Sequence, residues 1–218
     1  MTRLALFDCD GTLVDSQAVI CRATEIAFAA AGRRPPARSA IRRIVGLSLV
    51  EAMAVLLPDA DDALHRSIAA EYKRAFQAMR ARGEVDEPLF EGIAPLLATL
   101  VAEGWLLGVV TGKSDRGLAH VLAHHGLAHR FVTLQTADRH PSKPHPAMVR
   151  AAMTEAGAVA AATVVIGDTS YDIVMARAAG ARAIGVGWGY HSVAELNAAG
   201  AHAIAIAPSD LPALLEPS

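Results

Sequence analysis

The chain has 218 residues, a formal net charge of −2 and basic residues spread along its length, which leaves no electrostatic footprint for nucleic acid or an anionic membrane. A hydrophobic share of 53% supports a substantial core, yet no uninterrupted apolar run approaches the roughly 20 residues of a bilayer-spanning helix. Cys9 and Cys21 have neither metal-ligand spacing nor a disulfide framework, so reduced core thiols are expected.

The opening MTRLALFD is too short in its apolar part for a signal-peptide core, which sets the expectation of a cytoplasmic protein. Its Arg3–Phe7 reads as a first strand, followed by the acids Asp8 and Asp10. A stretch that is helical throughout then intervenes, far longer than one crossover needs, and this predicts an inserted domain. Within it a helix over 16–31 presents Val19, Ala23, Ile26, Ala27 and Ala30 on one face and stops at Gly32. A linker with Pro35 and Pro36 leads to a helix near 40–45. Ser48 and Glu51 form the pattern of a capping box for a helix ending before Pro58. A longer helix over 61–82 spaces Leu64, Ile68, Tyr72, Ala75, Phe76 and Met79 along one side.

From there strands alternate with helices. The expected strands are 106–110, 131–134, 163–166, 183–186 and 203–206; the expected helices are 93–103, 116–124, 147–156, 171–179 and 193–199, with glycines at or beyond their ends. This alternation predicts an α/β fold with a mainly parallel sheet covered by helices.

Ligands of such sheets bind at the carboxyl ends of the strands. At the first, Asp8 and Asp10 share one face of extended chain, and two carboxylates that close require a shifted pKa or a cation between them. Gly11 permits backbone to approach an anion closely. The second strand exits through Thr111-Gly112, a hydroxyl and an amide suited to a phosphate, although taken alone this is an ordinary strand exit with Ser114 or Asp115 as helix cap. Lys143, one of three lysines, stands in the proline-stiffened HPSKPHP, where it supplies either a solvated surface charge or a point charge for a phosphoryl oxygen. Asp168 and Asp172 follow the strand TVVIG, as cap and dipole partner of the next helix or as oxygen donors to a hard cation. Together the four sites assemble what magnesium-assisted phosphoryl transfer needs: nucleophile, acid, metal donors and charge neutralisers.

These segments, DCDGTLVDS, VVTGKS, SKPHP and GDTSYDIVMARAAG, resemble in this order the four motifs of the haloacid dehalogenase superfamily, and the insertion resembles that family's helical cap of the first type. The resemblance implies a Rossmann-like three-layer core of residues 1–14 and 89–218 and a cap of residues 15–88. It further implies a magnesium cofactor, Asp8 as nucleophile and Asp10 as general acid/base. Gly11, Thr111, Gly112 and Lys143 fall to the phosphate. The metal falls to Asp8, Asp168 and the backbone carbonyl of Asp10, with Asp172 orienting the cation's waters or Lys143. Arg42, Arg43 and Gly46 occupy the place of a substrate-specificity loop.

The tail GVGWGYHSVAEL is similar to the phosphoglycolate phosphatase-like branch. The expected reaction is hydrolysis of a small phosphomonoester through an aspartyl phosphate, by a monomer or homodimer with no nucleic-acid or membrane partner. Phosphoglycolate, pyrophosphate, a sugar phosphate and a nucleotide all stand as substrates, and a phosphosugar mutase of the β-phosphoglucomutase kind is the alternative. Dehalogenation is disfavoured by Asp10, phosphonate cleavage by the lack of an early cap lysine, and a phospho-accepting signalling module by the size of the insertion. The histidines between His120 and His129 read as a helix end, and Trp105 and Trp188 as core or core-edge packing.

Overall fold

A computed structural model describes residues 2–216. Its centre is a six-stranded parallel sheet: β1 (Leu4–Phe7), β2 (Leu106–Thr111), β3 (Phe131–Thr136), β4 (Thr163–Gly167), β5 (Arg182–Val186) and β6 (Ala203–Ala205), in the order β3-β2-β1-β4-β5-β6. β1 is wholly buried, and its side chains alternate as a strand requires. Ala5 and Phe7 pack on one face with Leu97, Leu100 and Val121; Leu4 and Leu6 pack on the other with Met148, Val149 and Ile173. Helices α5 (Ile93–Ala102), α6 (Asp115–His124) and α10 (Leu211–Leu215) cover the first face, while α7 (Ala147–Ala156), α8 (Ser170–Ala178) and α9 (Val193–Ala198) cover the second. Three layers result. All six strands fall where the alternation predicts them, within two residues at each end.

The strand order reverses direction at β1, whose neighbours are β2 on one side and β4 on the other, with Phe7 opposite both Val109 and Ile166. A crevice opens at such a reversal beyond the carboxyl ends of the strands. Residue 8 and residue 168 therefore emerge side by side.

Between β1 and α5 the chain forms α1 (Gln17–Ala30), α2 (Arg38–Arg43), α3 (Leu49–Leu56) and α4 (Asp62–Ala81). These helices bury their own apolar cluster, built on Phe28, Ile41, Met53 and Ile68. The outgoing and returning chain cross side by side: Val14 bridges Leu89 antiparallel, and the Asp15 N–H donates to the Pro88 carbonyl at 2.9 Å.

Two local expectations are corrected. Ile26 is 39% exposed and Ala30 also faces outward; α1 instead buries Ile20, Thr24 and Phe28 beside Val19, Ala23 and Ala27. The stripe is turned because α1 packs against α4 along one side and against α2 along another. Ser48 does cap α3, but without a side-chain cap bond: its backbone N–H, the group Glu51 would have to reach, donates to Ser142 Oγ at 2.8 Å. No helix among the described residues is long and apolar enough to cross a membrane.

Phe28→Ala is expected to lower stability by about 3–5 kcal/mol, since a fully enclosed ring would leave a cavity among packed helices. Chemical denaturation measures this, and a loss under about 1 kcal/mol would show that the helical cluster does not rest on that side chain.

Candidate active site

Asp8 follows β1 without exposed surface, its N–H donating to the Ile166 carbonyl at 2.9 Å. Its Oδ1 accepts from the Cys9 N–H at 2.6 Å and lies 2.9 Å from Lys143 Nζ. Oδ2 is buried and has no partner. Lys143, itself 2% exposed, also donates to Asp172 Oδ1 at 2.6 Å. The second oxygen of Asp172 accepts from the N–H and hydroxyl of Thr169, so Thr169 rather than Asp168 caps α8. Asp168 is left to face the site: Oδ1 accepts from the Thr12 hydroxyl at 2.8 Å and Oδ2 from the Tyr190 N–H at 2.9 Å. Gly11, at φ +86°, lies so close to Asp168 that any Cβ there would collide with the carboxylate.

Asp8, Asp168 and Asp172 each bring a carboxylate oxygen within 4.8 Å of the others, the only such grouping of metal-ligating side chains among the described residues. Three carboxylates face one ammonium. Burial, the repulsion of Asp172 and that of Asp10 outweigh the attraction of Lys143 and push the Asp8 carboxyl up to about 7. Burial, then Asp8 and Asp172, raise Asp168 as well. Burial works against the Lys143 charge, but Asp172 and Asp8 more than offset it and hold that lysine firmly cationic.

The side chain of Asp10 takes another direction. Its Oδ1 accepts from the Ser16 hydroxyl and from Lys113 Nζ, the latter at 2.7 Å; Lys113 also contacts Glu87 Oε1 at 2.9 Å. Glu87 is in turn 3.4 Å from Arg80. This chain of charges joins the end of β1, the loop after β2, α4 and the segment that returns from the helical insertion. Burial alone would weaken the Lys113 charge, but Asp10 and Glu87 raise its pKa well above the ordinary value.

Of the remaining expected residues, Thr111 ends β2 almost fully buried and accepts the Lys113 N–H at 3.2 Å, which leaves its own O–H free to donate. Gly112 is where the insertion touches the core: a Cβ there would strike the Gly46 and Leu47 carbonyls. The Gly11 N–H is committed to the Val14 carbonyl, so that glycine serves by close approach to Asp168 rather than by its own amide. Ser114 caps α6, accepting from the Gly117 N–H at 3.1 Å. Arg42 and Arg43 do not reach the cavity beside the site. Arg43 pairs with Glu195 at 2.6 Å on the outside, and its carbonyl lies 3.2 Å from both the Tyr171 hydroxyl and His191 Nε2.

That cavity, of about 280 Å³, has Asp10, Gly112 and Lys113 at its inner end and residues of α1, α3, α4 and the Gly46 loop as walls. Sequence reasoning missed Thr12, Ser16, Glu87, Lys113 and Tyr190. Lys113 carried a usable signal, being one of three lysines and placed directly after Thr111-Gly112. Tyr190 lies in the tail GVGWGYHSVAEL; Gly189 brings it against Asp168, and its hydroxyl accepts the Ser16 N–H at 3.0 Å. Among the histidines, His125 contacts the Glu87 carbonyl at 2.8 Å, and Trp188 donates to the Thr12 carbonyl at 3.1 Å.

A parallel sheet whose reversal point gathers acids, a lysine and a threonine hydroxyl is the frame of a group-transfer enzyme. Residues 5–186 match the model of the haloacid dehalogenase-like hydrolase family, to which the chain belongs. It is 36% identical over 203 residues to "Probable phosphatase IndB" of Dickeya dadantii, covering 91% of this chain and 87% of that one. It is 31% identical over 191 residues to a phosphoglycolate phosphatase of Xylella fastidiosa, covering 87% and 82%. The crystal structure of a predicted phosphatase from Clostridium acetobutylicum superposes with a TM-score of 0.89 at 26% identity, over 99% of this chain and 98% of that one. The chain is thus a hydrolase of this family, and these three relatives carry phosphatase names.

Burial and the neighbouring carboxylates push the Asp8 carboxyl from an ordinary 3.8 up to about 7, so the folded chain holds that proton more tightly than the unfolded chain does. The stability this contributes is fully present below about 3.8 and lost as pH rises through about 7. Without metal, the unfolding free energy of the native protein relative to Asp8→Asn should fall across that window. A divalent cation added above it should restore the native protein more than the variant. A pH-independent difference would contradict the crowding of charge around Asp8.

Proposed function

We propose that this hydrolase is a magnesium-dependent phosphomonoesterase acting on a small phosphorylated metabolite in the cytoplasm, with residues 15–88 as a helical cap over a core of 1–14 and 89–218. The observation that carries the reading is the buried, unpartnered Oδ2 of Asp8 within a set of three carboxylates opposed by one lysine. A donor set made only of oxygens suits a hard cation, and the excess negative charge calls for one. Asp8, Asp168 and the carbonyl of Asp10 would hold magnesium, with Asp172 keeping Lys143 in place. Bound there, the ion supplies charge neutralisation for the phosphoryl oxygens.

The remaining work belongs to side chains. Oδ2 of Asp8 attacks phosphorus in line; the new oxygen–phosphorus bond forms as the ester bond breaks. Lys143 and the Thr111 hydroxyl meet the oxygens that do not react. The oxygen of Asp10 that Lys113 and Ser16 leave free carries the proton given to the departing alcohol oxygen, and it takes one back from the water that cleaves the aspartyl phosphate. Lys113 and Ser16 fix the Asp10 carboxyl at the inner end of the cavity, where a leaving group would lie. The exclusion of solvent around Asp8, Asp168 and Lys143 strengthens each of these interactions.

Inorganic phosphate should be released continuously from small phosphomonoesters in the presence of magnesium and not in the presence of chelator. Asp8→Asn should reduce turnover by about a thousandfold or more while the thermal unfolding transition persists. Near-native turnover by that variant would overturn the nucleophile assignment, and isomerisation without phosphate release would replace hydrolysis by a mutase reaction.

A further inference from the structure

The proposed phosphomonoesterase site opens into a cavity whose composition bears on the alcohol part of the ester. Its walls are Ile20 of α1, Ile44 and Leu47 around the Gly46 loop, Met53 of α3, and Tyr72 and Phe76 of α4. Tyr72 and Phe76 stand one helical turn apart with ring centroids 5.9 Å from each other and planes inclined by 36°. The guanidinium of Arg80, one turn further along, lies 5.1 Å from the Phe76 centroid and continues that flat surface toward the inner end.

The volume of about 280 Å³ approaches the lower end, roughly 300 Å³, of sites that enclose drug-sized ligands. A two-carbon hydroxy acid would leave most of it as water against apolar walls. It would also bring a carboxylate among apolar walls, where the cations deepest in the cavity are committed, Lys113 to Asp10 and Glu87 and Arg80 to Glu87, while Lys73 and Arg116, which pair with no acid among the described residues, stand further out. Lys73, Gln77 and Arg116 line the cavity too, but they are exposed and so form its rim.

We infer that, on the phosphatase reading, the substrate is a phosphomonoester whose alcohol carries an aromatic or heteroaromatic ring, seated against Tyr72 and Phe76 with any polar substituents toward the rim. A planar ring matches a wall made of two aromatic side chains and a thioether, gaining stacking and dispersion where a small acid gains neither. The specificity of the enzyme then resides in α4, not in Arg42 and Arg43.

The test compares benzyl phosphate, ethyl phosphate and phosphoglycolate under magnesium, the first two releasing primary alcohols so that their difference reports mainly the ring. The expected kcat/KM for benzyl phosphate exceeds both others by about tenfold or more. In Phe76→Leu and Tyr72→Leu the benzyl-to-ethyl ratio should fall about fivefold or more, because a face able to stack is lost while an apolar side chain remains. Preference for phosphoglycolate, or the same ratio in the native enzyme and both variants, would overturn the inference and leave the phosphatase reading standing. Hydrolysis of none of the three would overturn both.

Discussion

The burial of Asp8, Asp168 and Asp172 around a single Lys143 is the constraint on which the rest of this structure depends. Carboxylates gathered in a low-dielectric interior repel one another strongly, and one ammonium does not neutralise three of them. The fold holds them together by giving nearly every oxygen a donor: Thr12 and Tyr190 on Asp168, Thr169 and Lys143 on Asp172, Cys9 and Lys143 on Asp8. The exception is Oδ2 of Asp8. One oxygen left unsatisfied amid so much provision is what singles Asp8 out as the candidate reactive group.

Assembling those donors requires the particular strand order seen. β1 and β4 come from distant parts of the sequence, yet their parallel pairing sets Phe7 beside Ile166, and the residues that follow diverge into one crevice. The β5–α9 connection then folds back over it, bringing Tyr190 to Asp168 and, through its hydroxyl, to the start of α1. Tyr190 also packs into the apolar cluster of the insertion. One residue thus ties the acid cluster, the core and the helical region together.

The sheet was legible because its strands are short apolar runs bounded by glycines and acids, a pattern set by local chemistry. The meeting of Asp8, Lys143 and Asp168 was legible for a related reason: each stands at a strand end or in a stiffened loop, where sequence position alone restricts its surroundings. Glu87 and Lys113 were not. Their meaning lies in a contact with Asp10 across three separate segments, and neither periodicity nor spacing encodes a meeting of that kind. The misread face of α1 has a similar origin, since helical periodicity finds a stripe but cannot tell how far packing by two partners turns it. Arg42 and Arg43 looked like substrate contacts by their proximity to Gly46. The α2 C-terminus instead directs Arg43 to Glu195, outside the cavity.

Lys113 links the acid at the end of β1 to the cavity walled by the helical insertion. Its ammonium lies between Asp10 and Glu87, so the position of Glu87 at the return of the helical insertion is felt at Asp10. The same lysine is 5.8 Å from the ring of Phe76. A group seated on that ring would therefore lie close to the ammonium that fixes Asp10. The Gly46 loop meets Gly112 right beside that lysine, so a contact made on the helical wall of the cavity and the position of the Asp10 carboxyl are joined through a few tightly packed groups rather than through bulk solvent.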